Sequence, residues 1–245
     1  MPEIYLSPST QEYNPHVTGG NEEEWMNYLV DAMIPYLESS GIRYTRNQPN
    51  FTAAQSIKDS NAAPRDLHLA LHSNASKDPG KHRGILLFYF PGSVKGRRAA
   101  DIMAKNLASV YPLPDLIRVE PNSSIAELRK VKAPVVYLEL GYHDQVDDSK
   151  WIEANLDAIA QSLVKSIAEY FDLPFLLPHA ILKGVVDAPN GFLNLYSRPS
   201  PAAPILAKAY NGAALTILNH FETWFLVQFG SVTGYARDDF IRILK

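Results

Sequence analysis

The sequence predicts an α/β domain, with a mostly parallel sheet and helices on both faces, followed by a small all-β barrel. Strand and helix signals alternate through the first ~170 residues, which is typical of parallel βα units. Beyond Ala180 the helical periods stop, and short apolar runs alternate with Gly, Pro, Asn and Ser. A stiff proline-containing stretch separates the two patterns. We therefore predict a first domain over 1–172, a linker over 173–180 and a second domain over 181–245.

The first strand and the first helix follow from short local signals. Ile4-Tyr5-Leu6 is an apolar run, and Pro8 with its polar neighbours ends it. A helix is expected from Asn21, because apolar residues then recur at spacings of three and four. Gly41 stands where a helix-ending glycine belongs.

The rest of the chain continues these patterns. The first domain is expected to contain a strand over 42–45, a brief helix over 52–61, strands over 67–72 and 84–90, a helix over 94–111, an edge strand over 116–119, a strand over 135–140 and a helix over 150–171. Ser149 or Asp148 is expected to cap the last helix. Short strands are expected in the second domain over 184–186, 193–196, 212–218, 224–230 and 234–236.

The composition is that of an ordinary globular protein, with 46% apolar and 20% charged residues. The net charge of −3 provides no basic field that would attract nucleic acid or anionic lipid. The absence of cysteine excludes disulfides, thiolate zinc sites and cysteine nucleophiles. No apolar stretch is long enough to cross a bilayer, and no signal peptide is visible. We expect no nucleic-acid partner and no membrane insertion; the sequence leaves the oligomeric state open.

Two predicted strands end in residues that can carry chemistry. His72 ends one apolar run, and Glu139 follows the run Val135-Val136-Tyr137-Leu138. Open α/β sheets bind ligands at the carboxyl ends of their strands, so a metal ligand and a general base there would make a hydrolase site. A lone histidine at a strand end is more often structural. Glu139 breaks an apolar pattern, and an unpaired buried carboxylate is costly, so the alternative is a salt bridge, for example to Arg129.

The acids Glu22, Glu23 and Glu24 open the predicted first helix. Acids in a first turn complement the helix dipole, and that role accounts for all three. The preceding glycines would also let this helix start close to the strand tips, so that one carboxylate could share a metal with His72. The motifs Gly-x-Ser-x-Gly and His-Glu-x-x-His and a phosphate-binding glycine loop are absent from the sequence, which leaves metal-assisted hydrolysis as the best-supported chemistry.

Three segments carry a family resemblance. They are His72-Ser73-Asn74-Ala75, the pair Glu23 and Asn27 four residues apart, and the stretch from Leu128-Arg129 through Pro134 to Leu138-Glu139-Leu140-Gly141-Tyr142. With these segments in this order, the stretch 1–172 resembles the zinc-dependent N-acetylmuramoyl-L-alanine amidases. These enzymes cut the amide between the lactyl group of muramic acid and L-alanine in peptidoglycan.

The resemblance implies a zinc cofactor and a set of site residues. His72 and Glu23 would bind the metal, and Glu139 would act as the catalytic base. The family's first histidine ligand lies in an Asp-Pro-Gly-His-Gly turn, which here reads Ser7-Pro8-Ser9-Thr10-Gln11, with Thr10 in the histidine's place. Gln11 is therefore an expected substitute ligand, with His16 as the other option, although an amide is not a usual zinc ligand. Substrate contacts are expected from Asn74, Arg129, Tyr142 and His143.

Two rival functions stay open beside a wall amidase. The altered turn suggests a catalytically inactive relative that binds peptidoglycan, and a metal-dependent peptidase of the stem peptides is the other. The stretch 181–245 resembles a bacterial SH3-like wall-binding domain through Gly191-Phe192-Leu193-Asn194-Leu195-Tyr196-Ser197. Peptidoglycan is thus the expected partner and the cell wall the expected place of action, for a phage-type, sporulation-related or trimmed secreted protein.

Overall fold

The computed structural model describes residues 1–244 and divides the chain into two compact units. The larger unit comprises residues 2–34 and 44–170, and the smaller comprises residue 1, residues 35–43 and the chain from residue 171 onward. The strands of the first sheet are β1 (Glu3–Pro8), β2 (Arg43–Arg46), β3 (Leu67–Asn74), β4 (Ile85–Tyr89), β5 (Ile117–Pro121) and β6 (Val135–Tyr142). The helices are α1 (Glu22–Ser39), α2 (Ala53–Ser60), α3 (Val94–Leu107), α4 (Ala126–Lys130), α5 (Val146–Ala154) and α6 (Leu156–Tyr170).

The first sheet is mostly parallel, as predicted. Its strand order is β2-β1-β3-β6-β4-β5, and β1, β3 and β6 run parallel to one another. β4 runs antiparallel to β6 and parallel to β5. The central strands are buried on both faces, which is why they read as nearly continuous apolar runs. The carboxyl ends of β1, β3 and β6 therefore meet at one edge.

Three helical features differ from the sequence prediction. The single helix expected over 150–171 is two helices, because Asn155 leaves the helical conformation (φ −125°, ψ 20°) and its side chain donates to Trp151 O. The cap of α5 is Gln145, which accepts from the backbone N–H of Asp148, and neither Asp148 nor Ser149 caps it. The short helix α4 was not predicted, since five residues are too few to show a period.

The second sheet is antiparallel throughout, consistent with the predicted SH3-like fold. Its strands are β7 (Leu182–Val186), β8 (Phe192–Tyr196), β9 (Ile205–Tyr210), β10 (Ala214–Phe221), β11 (Trp224–Phe229), β12 (Val232–Arg237) and β13 (Ile241–Ile243). Alternate residues point inward and form a core that includes Leu193, Leu195, Ile217 and Val227.

The end of α1 belongs to the same compact unit as this second sheet. The hydroxyl of Ser40 accepts from Leu176 N at 3.0 Å, and Asn219 Nδ2 donates to Leu177 O at 2.8 Å and to Ser39 O at 3.4 Å. The smaller unit therefore includes residues far from it in sequence, and the predicted division at residue 173 stays a prediction. Within residues 1–244, no helix combines the length and apolar character needed to cross a membrane.

Candidate active site at the ends of the parallel strands

His72 and Glu139 lie side by side at the edge where the parallel strands end. They are register partners on β3 and β6, and paired residues of parallel strands point to the same face of the sheet. The ring of His72 stacks on Tyr137, with 4.4 Å between the ring centroids. A cavity of about 410 Å³ opens beside them. It is lined by Thr10, Gln11, Tyr13, Phe51, Thr52, Ala53, His72, Ile125, Ala126, Glu127 and Tyr137.

His72 is held between two carboxylates on opposite sides of its ring. Its Nδ1 lies 2.8 Å from Oε1 of Glu22, and its Nε2 lies 3.8 Å from Oε2 of Glu127. Burial alone would lower the pKa of His72, but the carboxylates of Glu127, Glu22 and Glu139 outweigh that effect and raise it to about 10. The imidazole is therefore a cation at neutral pH, paired to Glu22 by a charge-assisted hydrogen bond.

Glu127 is the buried acid that joins this site to the interior of the sheet. Its Oε1 accepts from Ser7 Oγ at 2.7 Å and lies 3.2 Å from His68 Nε2. His68 is itself fixed from the other side, because its Nδ1 lies 2.9 Å from Ser60 Oγ. Burial favours the neutral acid, but the hydrogen bond with His68 and the nearby charge of His72 hold the pKa of Glu127 well below its usual range.

Glu139 differs from the other two acids because one of its oxygens has no partner. Its Oε2 is buried and forms no hydrogen bond within residues 1–244. Burial raises the pKa of Glu139 to about 7, although the charge of His72 opposes the shift. The Arg129 side chain is exposed, and neither Arg129 nor another residue of the described chain partners Glu139 Oε2, so the salt-bridge alternative finds no support.

The acid that reaches His72 is Glu22, where the sequence had favoured Glu23. Glu22 is buried, and its Oε2 accepts from Asn14 Nδ2 at 2.7 Å. Glu23 does share a helix face with Asn27, as its spacing indicated, but that contact engages its carboxylate, since Asn27 Nδ2 donates to Glu23 Oε1 at 2.8 Å. Successive helix residues point about 100° apart, so only one of three consecutive acids can face the strand ends.

Gln11 lies at the site, whereas His16 does not. The Nε2 of Gln11 is 3.2 Å from His72 Nδ1, and its Oε1 accepts from Tyr13 Oη and Asn14 Nδ2. His16 is buried in a separate cluster, with its Nδ1 2.9 Å from Ser149 Oγ and its Nε2 3.3 Å from Ser73 Oγ. Burial, with a smaller effect of His143, lowers the pKa of His16 to about 4. His16 is thus a neutral residue whose two nitrogens are occupied.

The four residues expected to contact substrate do not line the cavity beside His72. His143 is buried against Ser73 and stacks on His16. Tyr142 is buried as well, and the Asn74 side chain accepts from the backbone N–H of Ala75. The cavity instead receives Glu127 from α4, two residues before the exposed Arg129.

The sequence reasoning missed Glu127 and its partner Ser7. The only signal was an acid between Ala126 and Leu128 in a segment with apolar neighbours, a pattern equally typical of a solvated turn. Ser7 stands at the end of β1, where its hydroxyl is directed to Glu127 by the strand geometry.

Comparisons with known proteins agree with this architecture. Residues 9–169 match the N-acetylmuramoyl-L-alanine amidase family, and residues 191–242 match the bacterial SH3 domain. Fold and matches together support a hydrolase that acts on peptidoglycan. The first match spans most of the chain, so the chain belongs to the N-acetylmuramoyl-L-alanine amidase family. No curated protein matches the chain.

Solved amidase structures share the fold at low sequence identity. The amidase AmiC2 of Nostoc punctiforme is 14% identical, with a TM-score of 0.62 over 70% of this chain and 97% of that one. The catalytic domain of CwlV from Bacillus (Paenibacillus) polymyxa var. colistinus is 17% identical, with a TM-score of 0.62 over 71% of this chain and 100% of that one. CwlD from Clostridioides difficile, solved with the GerS lipoprotein, is 16% identical, with a TM-score of 0.61 over 70% and 99%. At such identity these likenesses show the fold.

The residues at this site do not fit the zinc ion that the family resemblance implies. A catalytic zinc takes three protein ligands about 2 Å away, and it needs a neutral histidine. Here Glu22 and Glu127 engage opposite nitrogens of His72, so a metal on either nitrogen could be shared with only one of them. The family's remaining ligand position holds Thr10. Within residues 1–244, no group of three His, Asp or Glu side chains is arranged to hold a metal ion.

Proposed function

We propose that this protein hydrolyses peptidoglycan at the amide between the lactyl group of N-acetylmuramic acid and L-alanine. Membership of the amidase family supports the substrate class and the bond. The bacterial SH3 match supports peptidoglycan as the partner and the cell wall as the place of action.

The observation that carries the proposal is the state of Glu139. Its buried Oε2 lacks a hydrogen-bond partner within residues 1–244, and its pKa is raised to about 7 by burial. A general base works best when its pKa lies near the working pH, because it can then both accept and return a proton. Glu139 also neighbours His72, which lines the cavity, so a water between them would lie at the edge of the binding space.

In the proposed reaction, water attacks the lactyl carbonyl carbon while Glu139 accepts one of its protons. A carbon–oxygen bond forms, and the carbonyl oxygen becomes an oxyanion beside the cationic His72, whose Nε2 is not within hydrogen-bond distance of Glu127. The intermediate collapses as the carbon–nitrogen bond breaks. Glu139 then returns its proton to the leaving nitrogen, which becomes the free amine of L-alanine.

Replacing Glu139 tests this proposal. Glu139→Gln keeps the shape of the side chain but cannot accept a proton, and general base catalysis is typically worth about 10²–10⁴-fold. We expect the release of peptides with a free L-alanine amine from purified walls, followed by mass spectrometry, to fall at least about a hundredfold. The melting temperature should be unchanged or higher, since a carboxylate that burial makes costly is removed.

Glu120→Gln is the matched control for that variant. Glu120 lies on β5 of the same sheet with a side chain that is 47% exposed, so its replacement should leave release unchanged. Equal release by wild type and Glu139→Gln would contradict the proposed role of Glu139. Fragments cut within the stem peptide would instead identify a peptidase.

A second candidate function is peptidoglycan binding without hydrolysis. The observation that favours it is the substitution of Thr10 for the family's histidine ligand, together with the engaged ring of His72. In that case wild-type protein would sediment with purified walls but release no fragment, and Glu139→Gln would behave in the same way.

A further inference from the structure

We propose that Glu22, His72 and Glu127 form a carboxylate–imidazole–carboxylate group that takes the place of a metal centre, so that this protein works without a bound metal ion. The inference concerns the site of the proposed function. It rests on that function only where it assigns His72, instead of a metal, to the oxyanion.

The two carboxylates lie on opposite sides of the His72 ring. The two ring nitrogens of an imidazole point away from each other, and each faces a different glutamate. Zinc bound to Nδ1 would lie about 2 Å from that atom, in the space of the 2.8 Å contact with Glu22, and could be shared with Glu22 but not with Glu127. Zinc bound to Nε2 could be shared with Glu127 but not with Glu22. Each nitrogen therefore offers a metal one carboxylate.

Both carboxylates are also fixed by their other contacts. Glu22 Oε2 accepts from Asn14 Nδ2 at 2.7 Å, and Glu127 Oε1 accepts from Ser7 Oγ at 2.7 Å. Glu127 Oε1 also lies 3.2 Å from His68 Nε2. Moving either carboxylate to a shared metal would break charge-assisted hydrogen bonds in a buried setting, which are among the stronger contacts of a protein.

Gln11 and Thr10 hold the position that could complete a metal site. Gln11 directs its Nε2 to His72 Nδ1, because its Oε1 accepts from both Tyr13 and Asn14. An amide nitrogen in this orientation is a donor and offers a metal no lone pair. Thr10, which stands in the family's histidine position, adds a neutral hydroxyl to the cavity wall. With Nδ1 of His72 paired to Glu22, the Gln11 amide adds neither an acceptor for the ring nor a lone pair for a metal.

The test measures bound metal on the full chain, without a polyhistidine tag. The protein is dialysed against zinc chloride, passed through a desalting column and analysed by elemental mass spectrometry, and its melting is recorded with zinc or with EDTA. A site filled at about 100 times its Kd would raise the melting temperature of a chain of this size by several degrees. We expect well under one zinc per chain and no shift with either reagent.

One zinc per chain in the wild type, lost in His72→Ala together with the melting shift, would overturn the inference. A parallel wall digestion separates this outcome from failure of the proposed function. Peptide release that persists in EDTA supports both proposals, and release that stops in EDTA and returns with zinc overturns the metal-free site alone. If no peptide is released with or without zinc, the amidase proposal fails, while the metal content still decides whether the site is metal-free.

Discussion

The residue that organises this site is an imidazole surrounded by carboxylates. His72 contacts Glu22 and approaches Glu127, and it is the register partner of Glu139. Two of these acids are stabilised as anions by hydrogen bonds, whereas Glu139 has an oxygen without a partner in the described chain and a pKa raised to about 7. Neighbouring acids with separated pKa values permit distinct roles, in which Glu22 and Glu127 hold charge and Glu139 exchanges a proton.

The stability of the protein should fall as the pH rises from 7 to 9. The pKa of His72 is raised from 6.5 to about 10 on folding, so the folded chain keeps a proton that the unfolded chain loses. This contribution is complete below about pH 6.5 and disappears as the pH passes the folded pKa. Glu139, whose pKa is raised to about 7, lowers stability between about pH 4.5 and 7 and adds no further slope above that.

Urea unfolding at intervals from pH 7 to pH 9 checks this expectation. Each pH unit in this window should cost about 1 kcal/mol, and His72→Asn should flatten the slope. Parallel curves for wild type and variant would show that His72 does not keep its proton on folding.

Glu127→Gln should destabilise the fold and lower the pKa of His72. It leaves His72 and His68 without a shared anion in a buried site, and breaking a buried ion pair costs on the order of 3 kcal/mol. The variant should unfold at lower urea concentration, and NMR titration should show a lower pKa for His72. Glu120→Gln serves again as the exposed control, and an unchanged His72 titration in Glu127→Gln would refute the coupling.

How much of the site can be read from sequence depends on how each residue is positioned. His72 and Glu139 could be predicted to be neighbours, because strand ends in a parallel sheet meet at one edge. The sequence could not show which of the three consecutive glutamates reaches His72, because this depends on the rotation of α1 about its axis. The burial of Glu127 could not be predicted either, because it follows from the packing of α4, a helix too short to show an apolar period.

At the scale of elements, the short helix α2 forms one wall of the cavity. Thr52 caps it through a reciprocal capping box, in which Thr52 Oγ1 accepts from Gln55 N at 3.3 Å and Gln55 Oε1 accepts from Thr52 N at 2.8 Å. Phe51, Thr52 and Ala53 all line the cavity. The capping box therefore stabilises this wall of the cavity as well as the start of α2.

Thr52→Ala should cost about 1 kcal/mol of unfolding free energy, the usual value of a lost N-cap. Thr52→Ser keeps the hydroxyl and should retain most of the stability. Denaturant unfolding of the three proteins measures both effects. If serine and alanine are equally destabilising, the lost methyl group rather than the hydrogen bond is responsible.

The accuracy of the element predictions followed the length and regularity of each element. The apolar strands and the long helix α1 were predicted close to their observed ends. The antiparallel direction of β4 was not predicted, because a buried apolar strand reads the same in either direction. The break between α5 and α6 was missed because apolar residues keep a helical spacing across Asn155.

At the scale of the whole molecule, the chain combines an amidase domain with a bacterial SH3 domain. In the smaller unit, Ser39 and Ser40 at the end of α1 bond to Asn219 and Leu176. Removing the chain after Pro178 would remove Asn219, and with it the hydrogen bonds to Ser39 O and Leu177 O, while the contact between Ser40 and Leu176 would remain. The smaller unit thus includes residues 35–43 as well as the chain from residue 171 onward, and the predicted domain bounds stay a prediction.

We expect the truncated chain, 1–178, to fold with a lower melting temperature and to sediment poorly with purified walls. Both proteins should carry Glu139→Gln in the sedimentation assay, so that hydrolysis does not dissolve the wall. Circular dichroism of the truncated chain provides the folding control. Equal sedimentation of the full and truncated chains would show that the SH3 unit is not needed for wall binding.

In the proposed mechanism, Glu139 activates a water molecule that attacks the muramoyl–L-alanine amide. Digestion of purified walls in water enriched in heavy oxygen tests this claim most directly, with the chelator-treated full chain and with Glu139→Gln. We predict that one heavy oxygen atom enters the lactyl carboxyl group of the glycan fragment, that the peptide leaves unlabelled with a free L-alanine amine, and that the variant yields almost none of either. Label in a peptide carboxyl group, or equal yields from both proteins, would contradict it.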